Sequence, residues 1–297
     1  MTMGRAYRRG TEHDLDIEPV ARVRRWLALQ IRGRVVGEAI ERRDEIFEAA
    51  GPRWIPEDSP VRTVHADASM FIGGLRALLL QSLHPLAMAG VAEHSDYRHD
   101  PWGRLQRTAE FIAVTTYGPA PAAEAAVAQV RRIHEHVVGV APDGRAYAAN
   151  DPHLLSWVHL AEVDSFLVAY RRFGADRLDA AAADAYVRDS ATVAEHLGVV
   201  APPRSVGQLR RQLAAFRPEL RATKDARRAA SFLLFEPPLP LPVRPAYLVL
   251  AAAAVSLMPA WTRWPLRLPL LPVSERVLIG PAGAVATGAI RWTMRET

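Results

Sequence analysis

Half of the ten histidines fall between Gln81 and Gly139, interleaved with arginines inside otherwise apolar helical sequence. The stretch holds Gln81-Ser82-Leu83-His84-Pro85, then Glu93-His94-Ser95, then Asp100-Pro101-Trp102-Gly103-Arg104 with Arg107-Thr108, and closes on Arg131-Arg132-Ile133-His134-Glu135-His136. Imidazole and guanidinium groups are costly to bury unless each has a partner. A buried anionic cofactor with a metal centre supplies both partners: in haem, imidazole ligates the iron and guanidinium pairs with a propionate.

His134 is the leading metal-ligand candidate, because Arg131 lies three residues earlier and therefore on the same helical face. Spacing alone also describes a hydrogen-bonded core histidine beside a surface arginine, and favours that plainer reading. His136 faces elsewhere. His84 precedes Pro85, so a capping role and a pocket role weigh the same. Glu93-His94-Ser95 offers a general base or simply a polar helix terminus. Arg104, Arg107 and Thr108 stand at i, i+3 and i+4. They form either a solvated basic stripe or a ligand-facing one; the face runs on into Phe111, Ile112 and Thr115, which favours the second. His159 sits on an apolar face and reads as a satisfied core histidine. His153 and His159 are six apart, the wrong spacing for one face. A two-histidine, one-carboxylate iron site can be assembled from this inventory, but no spacing selects it. No His-Glu-x-x-His zinc pattern, nucleophile elbow or phosphate loop occurs.

These groups need elements to position them. Helical periodicity covers Val20 to Ala50 and, most strongly, Ser69 to Ala92, where His84-Pro85 predicts a kink or break. Further helices are expected over Arg104–Thr116, Pro121–Val138 with Gly139 at its end, and Asp151-Pro152 onward to Phe173. Ala180–His196 and Ser205–Leu220 follow. The run from Glu236 to Pro242 reads as an extended connector, and Pro245–Met258 as an apolar helix. With no long alternating pattern, the fold class is all-α: one large helical domain over 19–297 with a cofactor pocket between helices, preceded by a flexible lead-in over 1–18.

The 297 residues are 49% hydrophobic, enough for a full core, and contain no cysteine. Disulfides, cysteine-held zinc, iron–sulfur clusters and thiolate-ligated haem are thereby excluded. The net charge of +5 comes from arginines spread along the chain, with no reader motif, which argues against nucleic acid. No apolar run reaches the roughly 20 residues a spanning helix needs, and a charged N-terminus lacks a signal-peptide core. The expected location is cytoplasmic. Trp261 and Trp264 beside arginines have the composition of a peripheral membrane contact, and equally of ordinary packing.

The blocks Gln81-x-x-His84-Pro85, Glu93-His94-Ser95, Asp100-Pro101-x-x-Arg104-x-x-Arg107-Thr108, Arg131-x-x-His134 and Asp151-Pro152 to His159 resemble the domain shared by rubber oxygenases and MpaB-type oxygenases. The resemblance spans 65 to 260. It implies an all-α haem b protein that cleaves an apolar or isoprenoid-like substrate with dioxygen. His134 then corresponds to the proximal iron ligand, Arg131 to its accompanying arginine, and Arg104 and Thr108 to the arginine and threonine of an Arg-x-x-Lys-Thr segment. Arg107 stands where that lysine can close the distal face, and arginine cannot give a lone pair to iron. Glu93 is the nearest counterpart of the family's distal base. His84 and His94 are further cofactor-binding candidates. A helical haem or lipid carrier without turnover and a non-haem iron enzyme are the competing readings.

Overall fold

The computed structural model describes residues 49–294 apart from Asp96 and Pro238. The expected lead-in and the helix over Val20–Ala50 lie outside these residues, save for the last two of that helix.

Side-chain caps set most of the helix starts. Ser59, Asp100, Asp151, Asp179, Ser205 and Thr223 each accept a backbone N–H from the first turn that follows, relieving donors that have no intrahelical partner. Proline stands in the first turn of α1 (Pro60–Ala66), α3 (Pro85–His94), α4 (Pro101–Tyr117), α5 (Ala120–Glu135) and α6 (Pro152–Phe173), where its missing N–H does no harm. The remaining main helices are α2 (Ser69–Gln81), α7 (Ala180–Leu197), α8 (Val206–Phe216), α9 (Lys224–Phe235), α10 (Arg244–Ser256), the single turn α11 (Ala260–Arg263) and α12 (Gly280–Met294). A π-helical turn over Glu275–Ile279 leads into α12.

The pairing of α2 with the 22-residue α6 forms the centre. Gly73 makes it close: a Cβ there would stand 2.8 Å from the Phe166 ring and 3.2 Å from the Phe166 backbone. Fully buried Leu79, Leu160, Leu167, Trp157 and Tyr170 fill the seam, with α10 on one side of α2 and α7 and α8 on α6. A buried charge also crosses it. Arg76 meets Asp164 at 2.8 Å, Ser165 Oγ at 2.7 Å and the Leu257 carbonyl at 3.0 Å, tying α2, α6 and the end of α10. Such a charge is tolerated in a core because its donors are occupied.

At His84-Pro85 the chain turns by 106° between α2 and α3, as the proline predicts. Two expectations need correcting. Val138-Gly139-Val140 does not continue α5; it pairs antiparallel with Ala146-Tyr147-Ala148 around the Pro142-Asp143-Gly144 turn. The β-branched valines and Tyr147 suit a pleated edge better than a helix end. The helix expected to Leu220 ends at Phe216 and passes into a 3-10 turn, Arg217–Glu219, because Pro218 cannot extend it. Helices α9 and α12 were not legible in the sequence pattern. The described residues are thus mainly α-helical, with one two-stranded ribbon.

Candidate functional site

Helix α3 presents chemistry at both ends. Its ten residues at about 1.5 Å each set those ends about 15 Å apart.

At the C-terminal end, Glu93 and His94 face the ribbon. The Tyr147 hydroxyl donates to the Glu93 carboxylate. His94 Nε2 lies 3.1 Å from the same hydroxyl and 3.2 Å from the Val138 carbonyl; a carbonyl only accepts, so a proton on this nitrogen belongs to that bond. Gly139 lets the ribbon approach, since a Cβ there would stand 2.5 Å from Tyr147 Oη and 2.9 Å from Glu93 Oε2. Burial, together with the carboxylate beside it, pushes Tyr147 up to about 12. Ser95, the C-cap of α3, accepts from Arg104 at 2.6 Å, which draws the first turn of α4 into the same group. Burial lowers the Arg104 guanidinium from its ordinary value, though arginine stays protonated.

His134 lies in the last turn of α5, beside Asn150. Its Nδ1 is buried without a hydrogen-bond partner of good geometry, as is Asn150 Oδ1. Burial lowers the ring's basicity, and the adjacent Asn150 side chain partly opposes that. Asn150 is itself held by its amide donating 3.0 Å to the Arg131 carbonyl. With Nδ1 turned to Asn150, the other ring nitrogen makes no hydrogen bond among the described residues. The remaining sequence candidates do not converge here. Arg107 is 67% exposed and paired with Asp100 at 3.3 Å. Thr108 is exposed and donates 3.0 Å to the Arg104 carbonyl. Arg131 reaches toward the His196 carbonyl at 3.4 Å and lines an open groove of about 340 Å³ with Glu124, Val127 and Glu135.

His84 belongs to the other end of α3. It is 1% exposed and is the N-cap, its Nδ1 accepting from Ala87 N–H at 3.5 Å. His153, in the first turn of α6, and Glu219, from the 3-10 turn, meet it. His153 Nε2 lies 2.9 Å from Glu219 Oε2 and His84 Nε2 lies 3.5 Å from the same oxygen. Chain spacing sets His153 only against His159; its neighbours in the fold come from elements 69 and 66 residues away.

A third group lies inside the fold between α1, α6 and α7. His65 meets Thr116 Oγ1 at 2.9 Å and stacks edge-on against Phe166 and Tyr186. One turn along α6 from His159 sits Glu162, whose charge acts on Tyr186. Burial pushes Glu162 up to about 7, and His65 and His159 down to about 4. His159, expected to be satisfied, instead has a buried Nε2 without a partner among the described residues, as does the Tyr186 hydroxyl. Glu162 was missed because a lone glutamate in an amphipathic helix has no distinguishing pattern.

A family profile described as "ER-bound oxygenase mpaB/B'/Rubber oxygenase, catalytic domain" matches residues 62–292. Searches of curated proteins and of solved structures return no match.

Proposed function

The chain belongs to the mpaB/rubber oxygenase catalytic-domain family over residues 62–292, and from that premise we propose that it is a haem b-dependent oxygenase acting with dioxygen on a small apolar or isoprenoid-like molecule. The family is one of oxygenase catalytic domains; the haem and the substrate class are our reading. His134 carries it. Its buried Nδ1 lies beside the Asn150 side chain, a neighbour that can take the Nδ1 proton and leave Nε2 to ligate. Haem b, when bound, supplies a redox-active iron that no side chain here provides.

The chain's own residues do the rest. Arg104 is a permanent cation, fixed to Ser95 and placed by the α3 end, and its remaining N–H groups suit a carboxylate or an oxygen-bearing substrate group. Phe111 and Ile112, further along α4, are half-buried and apolar. Two carboxyl groups can manage protons, and they differ. Glu93 keeps the Tyr147 hydroxyl. Glu162, held at about 7 by burial, is close to half-protonated at neutral pH, where a general acid–base group works best. Arg107, standing where the family has a lysine, pairs with Asp100.

The described helices include none long and apolar enough to cross a membrane alone; α2 with α3 passes only as a pair bent by 106°. We read the C-terminal stretch as a peripheral contact with a lipid surface, where apolar substrates partition. Trp264 is 90% exposed, and Leu270, Leu271 and Val273, a few residues on in the chain, are exposed as well. Trp261, in contrast, packs under the Arg217 guanidinium, 5.0 Å from ring centre.

An absorption spectrum with metal analysis tests the central claim. Purified or haem-reconstituted protein is expected to show a Soret band with one iron per chain and to consume oxygen with an isoprenoid panel. Colourless protein that takes up no haem overturns the proposal. Flotation with anionic vesicles, compared with Trp264→Ser, tests the surface contact.

A further inference from the structure

The geometry points to a second metal site, at the N-terminal end of α3: His84, His153 and Glu219 bind a divalent first-row transition ion. One ligand atom from each residue falls within 4.8 Å of the other two. Neighbouring ligands of a tetrahedral zinc ion stand about 3.3 Å apart. The contacts to Glu219 Oε2, 2.9 Å from His153 Nε2 and 3.5 Å from His84 Nε2, straddle that spacing. Two imidazoles and one carboxylate suit zinc and non-haem iron and leave at least one position open.

A second observation points the same way. His84 Nε2 is buried without a hydrogen bond of good geometry although its ring is 1% exposed. A buried ring nitrogen left in this way is costly unless something occupies it. The rings are already oriented. His153 stacks on Phe216 with centroids 4.5 Å apart and planes 27° apart, and His84 packs against Trp157 and Phe216. His153 and Glu219 reach solvent, which gives an ion its way in. Arg145 is the opposing charge, acting on both His84 and Glu219, but Asp143 pairs with it at 2.7 Å.

Ligation through His84 Nε2 puts that ring's proton on Nδ1, so the 3.5 Å cap to Ala87 N–H is given up. The bond lost is a long one. In return the ion joins three segments distant in sequence: the break before α3, the start of α6 and the turn after α8. The site does not depend on His134 or on haem.

The full chain, stripped with chelator and dialysed, is titrated with Co2+ and then Zn2+, following visible d–d absorption and calorimetry. The expected result is one Co2+ per chain with tetrahedral-type absorption, displaced by Zn2+. Glu219→Gln and His153→Gln are each expected to weaken binding about 10–100-fold or more, with circular dichroism unchanged. His134→Ala is expected to bind Co2+ as the parent does, so loss of the haem reading leaves this one standing. Absence of Co2+ and Zn2+ binding overturns the proposal, as does equal affinity in the parent and both variants. In that case the three residues are a hydrogen-bonded clasp only.

Discussion

The two ends of α3 use the same residue types to different ends. At the C-terminal end Tyr147 holds Glu93 and His94 and Ser95 holds Arg104, while His134 lies beside Asn150 on α5. At the N-terminal end His84, His153 and Glu219 crowd three ligand atoms together and leave a buried nitrogen unused. The comparison teaches that capacity for a ligand is read from unsatisfied atoms, since histidine and glutamate occur at both ends. Distance to a hydrogen-bond partner separates a scaffold from a site.

The sharpest way to break the comparison is to remove one imidazole at each end. His134→Ala is expected to abolish the Soret band of haem-reconstituted protein, while His84→Ala leaves the band in place. A band lost in both variants, with folding intact, would merge the two ends into one site. The next effect is steric. Gly139→Ala puts a Cβ against Tyr147 and Glu93 and is expected to destabilise the chain by about 1–3 kcal/mol in denaturant melts. Gly90→Ala, whose nearest neighbour would stand 3.4 Å away, should change little; equal losses would show that the ribbon's approach is not tight. A smaller effect is expected from Tyr147→Phe, about 1 kcal/mol for the hydroxyl lost from Glu93 and His94, with metal binding at the other end untouched.

That variant also carries a pH signature. Tyr147 ionises at about 12 in the folded chain against 10.0 unfolded. Its contribution is therefore complete below pH 10 and is lost as pH rises through 12. Urea midpoints measured from pH 9 to 12 should fall less steeply in Tyr147→Phe than in the parent. Last, Glu162→Gln probes the interior carboxyl, which lies at neither end of α3. Its carboxyl is held at about 7 against an ordinary 4.5, so the folded state retains a proton that the unfolded chain releases. Stability from this group is present below pH 4.5 and lost as pH rises to 7, a slope the glutamine variant should lack. An unchanged slope would place the Glu162 carboxyl in solvent.

Much of the fold followed from local chemistry. Asp151-Pro152 starts α6 where the sequence placed it, and Asp100-Pro101 starts α4 three residues before the expected Arg104, because a capping carboxylate and a ring-locked φ act on the nearest backbone alone. His84-Pro85 breaks the apolar run for the same reason. The ribbon was misread as a helix end because three residues of strand carry too short a period to register. Helix α12 was missed because its faces are apolar almost throughout, with Val285 and Trp292 exposed.

By itself, then, the sequence determined the all-α class, the breaks and caps, and the blocks that resemble the oxygenase domain, since each depends on neighbours within a few positions. Only the tertiary structure decided which histidines have partners. His153 found Glu219, 66 residues away, and His94 found Tyr147, 53 away. His159 was left with a bare nitrogen. A hydrogen bond acts over about 3 Å of space, and no spacing along the chain records which groups packing brings within that reach.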